Sequence, residues 1–335
     1  TLKDNNDCTL DTILTINEPA PLIVSSATGT DLLCTGDASG SIEVVAGGGT
    51  PPYQYTLGPL PAINSTGIFS NLLAGSYTVE VEDASGCGPL LTDTITISEP
   101  PLLIIDSVVE MPIICYGTDD GEIHIYVSGG SPPYEYSIDN RSNYGTSGEF
   151  TGLAPGTYEV YVRDSNGCET YWGSLVFTYP PEITVTIGIT DVTPCYGDTT
   201  GAISASAAGG TGQLLYSIDS INFQASGDFN KLIANAYELF VVDDNGCVIK
   251  EPAIVNEPAH VLATIEKTDA VFGNPGTITI SNVSGGSSPY EYAISGPTGP
   301  FTDDTFYDSL NAGSYHVIVR DASGCRYEEI IEILD

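Results

Sequence analysis

The residues of this sequence with the most specific chemistry are its eight cysteines. Four of them end copies of the motif Asp-x-x-Gly-Cys, and these closing cysteines lie 81, 79 and 78 residues apart. Three early cysteines each begin a Cys-x-Gly element, 52 or 53 residues before a closing cysteine. Such regular spacing, with no Cys-x-x-Cys, indicates a disulfide framework rather than a metal site. The closing motifs are Asp83–Cys87, Asp164–Cys168, Asp243–Cys247 and Asp321–Cys325, and the early cysteines are Cys34, Cys115 and Cys195.

Each closing motif is the last part of a longer repeated pattern. A turn of small residues, a tyrosine-bearing run, and a lone aromatic residue with leucine three positions later precede it. A period of about 80 residues is typical of a domain array, so we predict four repeats. Asp4–Cys8 fits the closing motif, and we therefore expect the chain to begin at the tail of an earlier repeat and to be cut from a longer protein. The predicted divisions are 1–19 for the terminal strand of that preceding repeat, and 20–100, 101–181, 182–258 and 259–335 for four β-sandwich repeats.

Short stretches of alternating apolar and polar residues fill each repeat. In the second repeat, Gly121–Val127 and Thr157–Arg163 alternate strongly, which predicts half-buried strands, and the chain has no ten-residue segment with helical periodicity. Such strands predict an all-β fold of tandem immunoglobulin-like or PKD-like antiparallel β-sandwiches. The short proline linkers between repeats predict an elongated, semi-rigid rod. The other strands predicted in this repeat are Leu102–Val109, Tyr134–Ile138, Phe150–Leu153 and Ser174–Tyr179.

The chain is strongly acidic, with 44 acidic and 8 basic residues and a formal net charge of −36. Nucleic-acid phosphates and anionic membrane surfaces attract lysine and arginine, so the composition argues against binding to either. No run of about 18 apolar residues occurs, and we predict no transmembrane segment in this stretch. The charge and the cysteine spacing fit an extracellular or cell-surface location. Three scattered histidines cannot supply a repeated catalytic site, so we predict that the protein is not an enzyme.

One pattern runs through the second repeat. It consists of Cys-x-Gly at Cys115, Gly-Gly-Ser-Pro-Pro-Tyr-Glu-Tyr-Ser at 129–137, Phe-Thr-Gly-Leu at 150–153, and Gly-Thr-Tyr-Glu-Val-Tyr-Val-Arg-Asp-Ser-Asn-Gly-Cys at 156–168. This pattern resembles the SprB-type repeat of Bacteroidota cell-surface adhesins, and the resemblance covers nearly all of residues 20–335. In the third repeat, Gly212–Leu215 replaces the Pro-Pro-Tyr element. The resemblance implies a very large gliding-motility adhesin or stalk exported by the type IX secretion system, and it does not identify the ligand.

Three disulfide pairings fit the cysteine spacing. The closing and early cysteines of one repeat could pair, the cysteines on either side of each linker could pair, or the early cysteine of one repeat could pair with the closing cysteine of the next. Strand direction favours this third, staggered pairing. The two cysteine loops of one Greek-key sandwich lie at opposite ends, beyond the ~7 Å Cα separation that a disulfide allows. The alternatives are Cys34–Cys87, Cys115–Cys168 and Cys195–Cys247 within repeats; Cys8–Cys34, Cys87–Cys115 and Cys168–Cys195 across linkers; and Cys34–Cys168, Cys115–Cys247 and Cys195–Cys325 in the staggered arrangement.

In the fourth repeat, Phe272 stands at the position of the early cysteine. The staggered pairing explains this substitution if the fourth repeat has no like partner after it.

Acidic residues at the repeat ends provide the one candidate ion site, while no cofactor is predicted. Calcium takes six to eight oxygen ligands, and linker residues Glu99 or Glu257 could add to a junction site. The alternative, which we favour, is that the aspartate of Asp-x-x-Gly bonds its own turn, in which Asn166 and Gly167 supply the positive φ values. The candidate calcium ligands are Asp83, Asp164, Asp243, Asp321, Asp119 and Asp120.

Triplets of aspartate, a hydroxyl residue and an apolar residue resemble the O-glycosylation signal of Bacteroidota proteins, and Thr199 lies in a variant that ends in threonine. The alternative is chance, because the chain is rich in Asp, Ser and Thr. The candidate acceptors are Thr12, Thr94, Ser107, Thr199, Ser220 and Ser309.

These observations lead to three functional hypotheses. The first is a non-enzymatic surface adhesin or stalk, whose partners are other copies or repeats of the same protein and a surface polysaccharide or solid substrate. The second is a subunit of a self-assembling extracellular filament, in which Thr9–Asn17 pairs with an open sheet edge of another chain. The third is a set of accessory binding modules of a secreted polysaccharide-degrading enzyme.

Overall fold

The structure is a computed structural model that describes residues 1–13 and 15–335. These residues form two compact units. The first unit comprises Thr1–Pro112 and Asp119–Thr178, and the second comprises Ile113–Thr118 and Tyr179–Asp335. Across the described residues the regular elements are β-strands, and no helix has the length and apolar character that crossing a bilayer requires.

The first unit contains two β-sandwiches and a small amino-terminal ladder. Its strands, over the part of the chain that the structure describes, are β1 (Leu2–Lys3), β2 (Thr9–Leu10), β3 (Ile23–Thr30), β4 (Gly40–Gly47), β5 (Gln54–Gly58), β6 (Ala62–Asn64), β7 (Ile68–Leu72), β8 (Gly75–Glu82), β9 (Leu90–Leu91), β10 (Ile95–Ile97), β11 (Ile104–Met111), β12 (Gly121–Ser128), β13 (Glu135–Ser137), β14 (Glu149–Leu153), β15 (Gly156–Arg163) and β16 (Glu169–Phe177). In the first sandwich, the sheet β3–β4–β7 packs against the sheet β10–β8–β5–β6, with β9 also paired to β8. In the second, the sheets are β11–β12–β14 and β13–β15–β16.

The second unit contains two further sandwiches of the same plan. Its strands are β17 (Thr184–Thr190), β18 (Gly201–Ala208), β19 (Leu215–Ser217), β20 (Asp228–Leu232), β21 (Asn235–Val242), β22 (Val248–Val255), β23 (Leu262–Thr268), β24 (Gly276–Ser284), β25 (Glu291–Ala293), β26 (Phe306–Leu310), β27 (Gly313–Arg320) and β28 (Arg326–Ile333). The sheets are β17–β18–β20 with β19–β21–β22, and β23–β24–β26 with β25–β27–β28. Every ladder between these strands is antiparallel. The prediction of an all-β array of immunoglobulin-like sandwiches is confirmed.

Alternation along the strands builds each core. In β4, Ile42 and Val44 are at most 1% exposed, and in β8, Val79 and Val81 are fully buried. These side chains meet in one cluster between the two sheets of the first sandwich, and an equivalent cluster lies between β24 and β27. Burying a valine or isoleucine side chain stabilises a fold by about 1.5–3 kcal/mol, so each sandwich has a hydrophobic core of its own.

In each sandwich, tyrosine hydroxyls donate hydrogen bonds to backbone carbonyls. Tyr158 on β15 donates to the carbonyl of Ala154 at 2.8 Å, the tyrosine-corner arrangement of immunoglobulin-like domains. Tyr134 donates to the carbonyl of Gly129 at 2.6 Å, which fixes the turn before β13. The same four-residue tyrosine contact recurs at Tyr77, Tyr237 and Tyr315.

The last strand of the second sandwich begins earlier than the sequence predicts. The predicted strand was Ser174–Tyr179, whereas β16 starts at Glu169 and ends at Phe177. A β-bulge at Trp172 lies between the residues that pair with Val160 and Tyr161. Because a bulge interrupts the two-residue alternation, the first half of this strand has no regular pattern in the sequence.

Candidate functional site

Each closing motif forms a turn directly after a long strand, and its aspartate is buried. Asp164 follows β15 and is 3% exposed. Its Oδ1 accepts the backbone N–H groups of Asn166 and Cys168 at 3.0 and 2.9 Å. Its Oδ2 accepts the N–H of Ser131 at 2.9 Å, 33 residues earlier in the chain. One carboxylate therefore holds the closing turn and connects it to the turn before β13.

The other three repeats have the same arrangement. In each, one oxygen of the aspartate accepts two N–H groups of the closing turn, and the second oxygen accepts the N–H of a residue in the earlier turn. The nine distances lie between 2.7 and 3.0 Å, at Asp83, Asp243 and Asp321.

These hydrogen bonds satisfy a buried charge with backbone donors. The N–H groups of Thr50 and Cys87 hold the pKa of the Asp83 carboxyl below its usual range. Asp119 and Asp120 lie in the loop before β12. Within the described residues, no group of three or more His, Cys, Asp or Glu side chains is placed to hold a metal ion. The closing aspartates thus bond their own turns, and calcium binding by the six candidate ligands stays a prediction.

The amino-terminal Asp4–Cys8 forms the same local turn. The Oδ1 of Asp4 accepts the N–H groups of Asn6 and Cys8 at 2.9 and 3.0 Å. The backbone N–H of Asp4 also donates to the carbonyl of Cys8 at 3.1 Å, as Asp83 does to Cys87. The assignment of residues 1–19 to a preceding repeat remains a proposal, and this shared geometry supports it.

Three disulfide bonds join the cysteine pairs of the staggered arrangement. They are Cys34–Cys168, Cys115–Cys247 and Cys195–Cys325, with Cα–Cα distances of 5.6, 5.6 and 5.3 Å. Distances of this size are normal for disulfides. Cys8 and Cys87 carry exposed free thiols. Each bond connects an early cysteine with the closing turn of the following repeat.

In the first unit, the closing turn contacts the early loop beside the disulfide. The side-chain amide of Asn166 donates to the carbonyl of Leu33 at 2.9 Å, and Cys168 Sγ lies 3.2 Å from the same oxygen. The expectation that Asn166 supplies a positive φ is wrong, because in this pair only Gly167 has one, at 84°. The side chain of Asn166 is needed to bind the early loop, a role that appears only when distant segments meet.

In the second unit, two closing turns make equivalent contacts. Asn245 donates its side-chain amide to the carbonyl of Ile114 at 3.3 Å, beside Cys247. The turn that ends in Cys325 has Ser323 in place of this asparagine. Cys325 Sγ lies 3.4 Å from the carbonyl of Pro194. The sulfur therefore lies against the carbonyl preceding the early cysteine in this turn as well.

Linker glutamates hold the early loops in place. In the first unit, the N–H of Gly36 donates to Glu99 Oε2 at 2.8 Å. In the second unit, the N–H of Gly197 donates to Glu257 Oε2 at the same distance. Both glycines directly follow the residue after an early cysteine. The two glutamates that could add to a calcium site instead position the loops that carry the disulfides.

A pair of glycines fits each linker against the next sandwich. The N–H of Gly130 donates to the carbonyl of Pro101 at 2.8 Å. Gly129 has a φ of 72°, and a Cβ there would lie 1.9 Å from the carbonyl oxygen of Leu102. A side chain at this position would therefore collide with backbone that cannot move independently. Equivalent close approaches occur at Gly48, Gly209 and Gly285.

The early loop of the fourth repeat carries an apolar turn. Val271 and Asn274 exchange backbone hydrogen bonds of 3.1 and 3.0 Å, with Phe272 between them. Phe272 is fully exposed and has a φ of 50°. This loop therefore carries an exposed aromatic ring where the other repeats carry a disulfide-bonded cysteine.

The candidate glycosylation sites are distributed over both units. Ser107 is half-buried at a bulge in β11, and the other five are exposed. Exposure permits access by a transferase, and glycosylation at these residues stays a prediction. The exposed positions are Thr12, Thr94, Thr199, Ser220 and Ser309.

A second cluster of polar and aromatic side chains covers the sheet β13–β15–β16. Arg141 pairs with Glu169 at 2.6 Å and lies over the ring of Tyr161 at 4.2 Å. Burial and a hydrogen bond to Glu169 raise the pKa of Tyr144 to about 12. Arg163 lies over the ring of Tyr144 at 3.9 Å. The charged and aromatic side chains of this cluster are paired with one another. Their contacts therefore stabilise the loop between β13 and β14.

Comparison with known proteins gives a family match over two segments of the chain. The family model of the SprB repeat matches residues 26–60 and 107–143, which lie in the first two sandwiches. No curated protein matches this chain.

Among solved structures, the chain is similar to several tandem-domain proteins. Invasin, a bacterial integrin-binding protein, matches with a TM-score of 0.32 and 13% identity, over 93% of this chain and 79% of that one. The first eight immunoglobulin domains of Down Syndrome Cell Adhesion Molecule match with a TM-score of 0.31 and 11% identity, over 94% of this chain and 60% of that one. Three domains of the bacteriophage RB49 outer capsid protein Hoc match with a TM-score of 0.29 and 15% identity, over 94% and 95%. This chain thus spans less than two thirds of the Down Syndrome Cell Adhesion Molecule fragment.

Proposed function

We propose that this SprB-type repeat protein is a non-enzymatic cell-surface adhesin or stalk, which projects from a cell or forms a surface fibre. The observation that carries the proposal is the disulfide between an early loop and the next closing turn, made three times in one chain. Disulfides of this kind persist in oxidising, extracellular surroundings. They also keep neighbouring repeats connected when an attached cell is pulled.

The charge of the chain fits the same role. With a formal charge of −36, the surface is well solvated and repels other acidic surfaces. Adhesion would therefore involve hydrogen bonds and apolar contacts with a polysaccharide or a solid substrate, or contacts with other copies of the protein. We propose more specifically that the protein takes part in gliding motility.

Attachment can be measured directly. Beads coated with the oxidised chain are exposed to polysaccharide-coated glass and bare glass, and the force that detaches half of them is recorded under flow. Matched beads carry the same chain after reduction and alkylation. We expect the oxidised chain to hold beads at higher force on at least one surface. Detachment of the oxidised-chain beads from every surface at the same force as uncoated beads would reject the adhesive role.

The second candidate is a filament subunit, which one observation favours. In the segment Thr9–Asn17, of which residue 14 lies outside the described residues, Leu10, Ile13 and Ile16 are 67%, 92% and 95% exposed. An exposed apolar strand can pair with an open sheet edge of another chain. Sedimentation velocity over a rising concentration series tests this. Assembly that Ile16→Asp abolishes and Leu60→Asp preserves would support strand pairing, and a monomer at all concentrations would reject it.

A further inference from the structure

The three disulfide loops overlap along the chain. The bonds span 134, 132 and 130 residues. Cys115 precedes Cys168, and Cys195 precedes Cys247, so each covalent loop opens before the previous one closes. The backbone is therefore not the shortest covalent connection between the two ends of the chain.

The shortest connection uses the two outer bonds. It follows 33 residue steps from Thr1 to Cys34 and crosses to Cys168. It then follows 27 steps to Cys195, crosses to Cys325, and follows 10 steps to Asp335. The whole path has 70 steps, whereas the backbone from Thr1 to Asp335 has 334. Residues 35–167 and 196–324 lie outside this path.

We infer that the overlapping disulfides make the chain a tether of limited length, in which the two outer bonds keep residues 35–167 and 196–324 off the tension-bearing path. At ~3.5 Å per extended residue, the covalent path limits the oxidised chain to ~250 Å, against ~1,170 Å for the reduced chain. Unfolding of every sandwich therefore cannot lengthen the oxidised chain beyond about a fifth of its full length. This inference depends only on disulfide connectivity, and it holds whether or not the protein is an adhesin.

The middle bond acts as a reserve connection. While both outer bonds are intact, breaking Cys115–Cys247 leaves the path at 70 steps. If Cys34–Cys168 is broken, the shortest path passes through the middle bond and has 176 steps, and without Cys195–Cys325 it has 174. The staggered pairing thus predicts that breaking an outer bond lengthens the covalent path, whereas breaking the middle bond does not. This difference arises although the three bonds span nearly equal numbers of residues.

Single-molecule stretching tests this inference. The oxidised chain is held by peptide tags at Thr1 and Asp335 and pulled until all sandwiches are unfolded, and its contour length is then measured. At ~3.5 Å per residue, we expect ~250 Å for the unaltered chain and ~620 Å for the double variant Cys34→Ser/Cys168→Ser. We expect ~610 Å for Cys195→Ser/Cys325→Ser. The matched control, Cys115→Ser/Cys247→Ser, should remain at ~250 Å.

Other results would overturn the inference. Pairing within repeats would give the unaltered chain ~620 Å, and pairing across linkers ~890 Å, at the same extension per residue. Lengthening of the middle-bond variant to match an outer-bond variant would also contradict it. The remaining bonds of each variant are mapped beforehand by non-reducing mass spectrometry. Because the contour length is measured after the sandwiches have unfolded, a variant with unstable sandwiches still gives a decisive length.

Discussion

Replacement of Asp164 by alanine should destabilise the second sandwich by about 3.5–5 kcal/mol. The carboxylate accepts the N–H groups of Ser131, Asn166 and Cys168 at 2.9, 3.0 and 2.9 Å. A hydrogen bond to a charged group contributes roughly 1.5–3 kcal/mol, which sets an upper limit of about 9 kcal/mol. Asn166 is exposed and Cys168 is half-buried, so water replaces much of the lost bonding there. We therefore assign about 1 kcal/mol to the loss of each of these two hydrogen bonds. The loss of the hydrogen bond from Ser131 is assigned its full value of roughly 1.5–3 kcal/mol.

Hydrogen exchange measured on peptides by mass spectrometry resolves this loss locally, which a single melting curve of a multi-domain chain does not. Exchange in β13 and β15 should become about 300- to 4,000-fold faster, because each 1.4 kcal/mol corresponds to a factor of ten. Asp164→Asn keeps one acceptor oxygen and should lose about half as much free energy. Strands β18 and β21 of the third sandwich are the internal control. Unchanged exchange in β15 of the alanine variant would refute the inference that the Asp164 carboxylate stabilises the second sandwich.

Three further predictions follow from the same contacts. Gly129→Ala should cost more than about 2 kcal/mol, because it combines a positive φ with a backbone collision. Gly167→Ala meets no atom within 4 Å and should cost only the ~1–2 kcal/mol of the left-handed conformation. Hydrogen exchange of peptides from the second sandwich compares the two variants. Hydrogen bonds from Asn143 and Ser137 lower the pKa of Asp139 to about 2, so its stabilising contribution is complete above the unfolded pKa of about 4 and is lost as the pH falls towards 2. Asp139→Asn should therefore speed hydrogen exchange in the second sandwich at pH 5, and the difference from the unaltered chain should vanish below pH 2. Non-reducing peptide mapping should give a linked Cys115–Cys247 peptide, and a Cys115–Cys168 peptide would contradict the strand-direction argument.

The sequence was sufficient for features that local pattern determines. The alternation of Gly121–Val127 and Thr157–Arg163 predicts strands that the structure places at Gly121–Ser128 and Gly156–Arg163. Local pattern was insufficient where a bulge breaks the period, as at Trp172. It was also insufficient for the side chain of Asn166, whose acceptor on Leu33 lies 133 residues away. Such contacts depend on how folded elements meet, and no spacing rule contains that information.

The closing turn explains why strong acidity and close repeat contacts are compatible in one chain. Calcium requires six to eight oxygens, but the carboxylate oxygens of the closing turns already accept backbone N–H groups. Those hydrogen bonds stabilise each carboxylate within its own turn. The formal charge of −36 favours separation of the repeats, because like charges repel. A covalent bond at three of the early loops resists that repulsion at any salt concentration. Contacts between an early loop and a closing turn should accordingly persist at low ionic strength and in the presence of a chelator, and separate only on reduction.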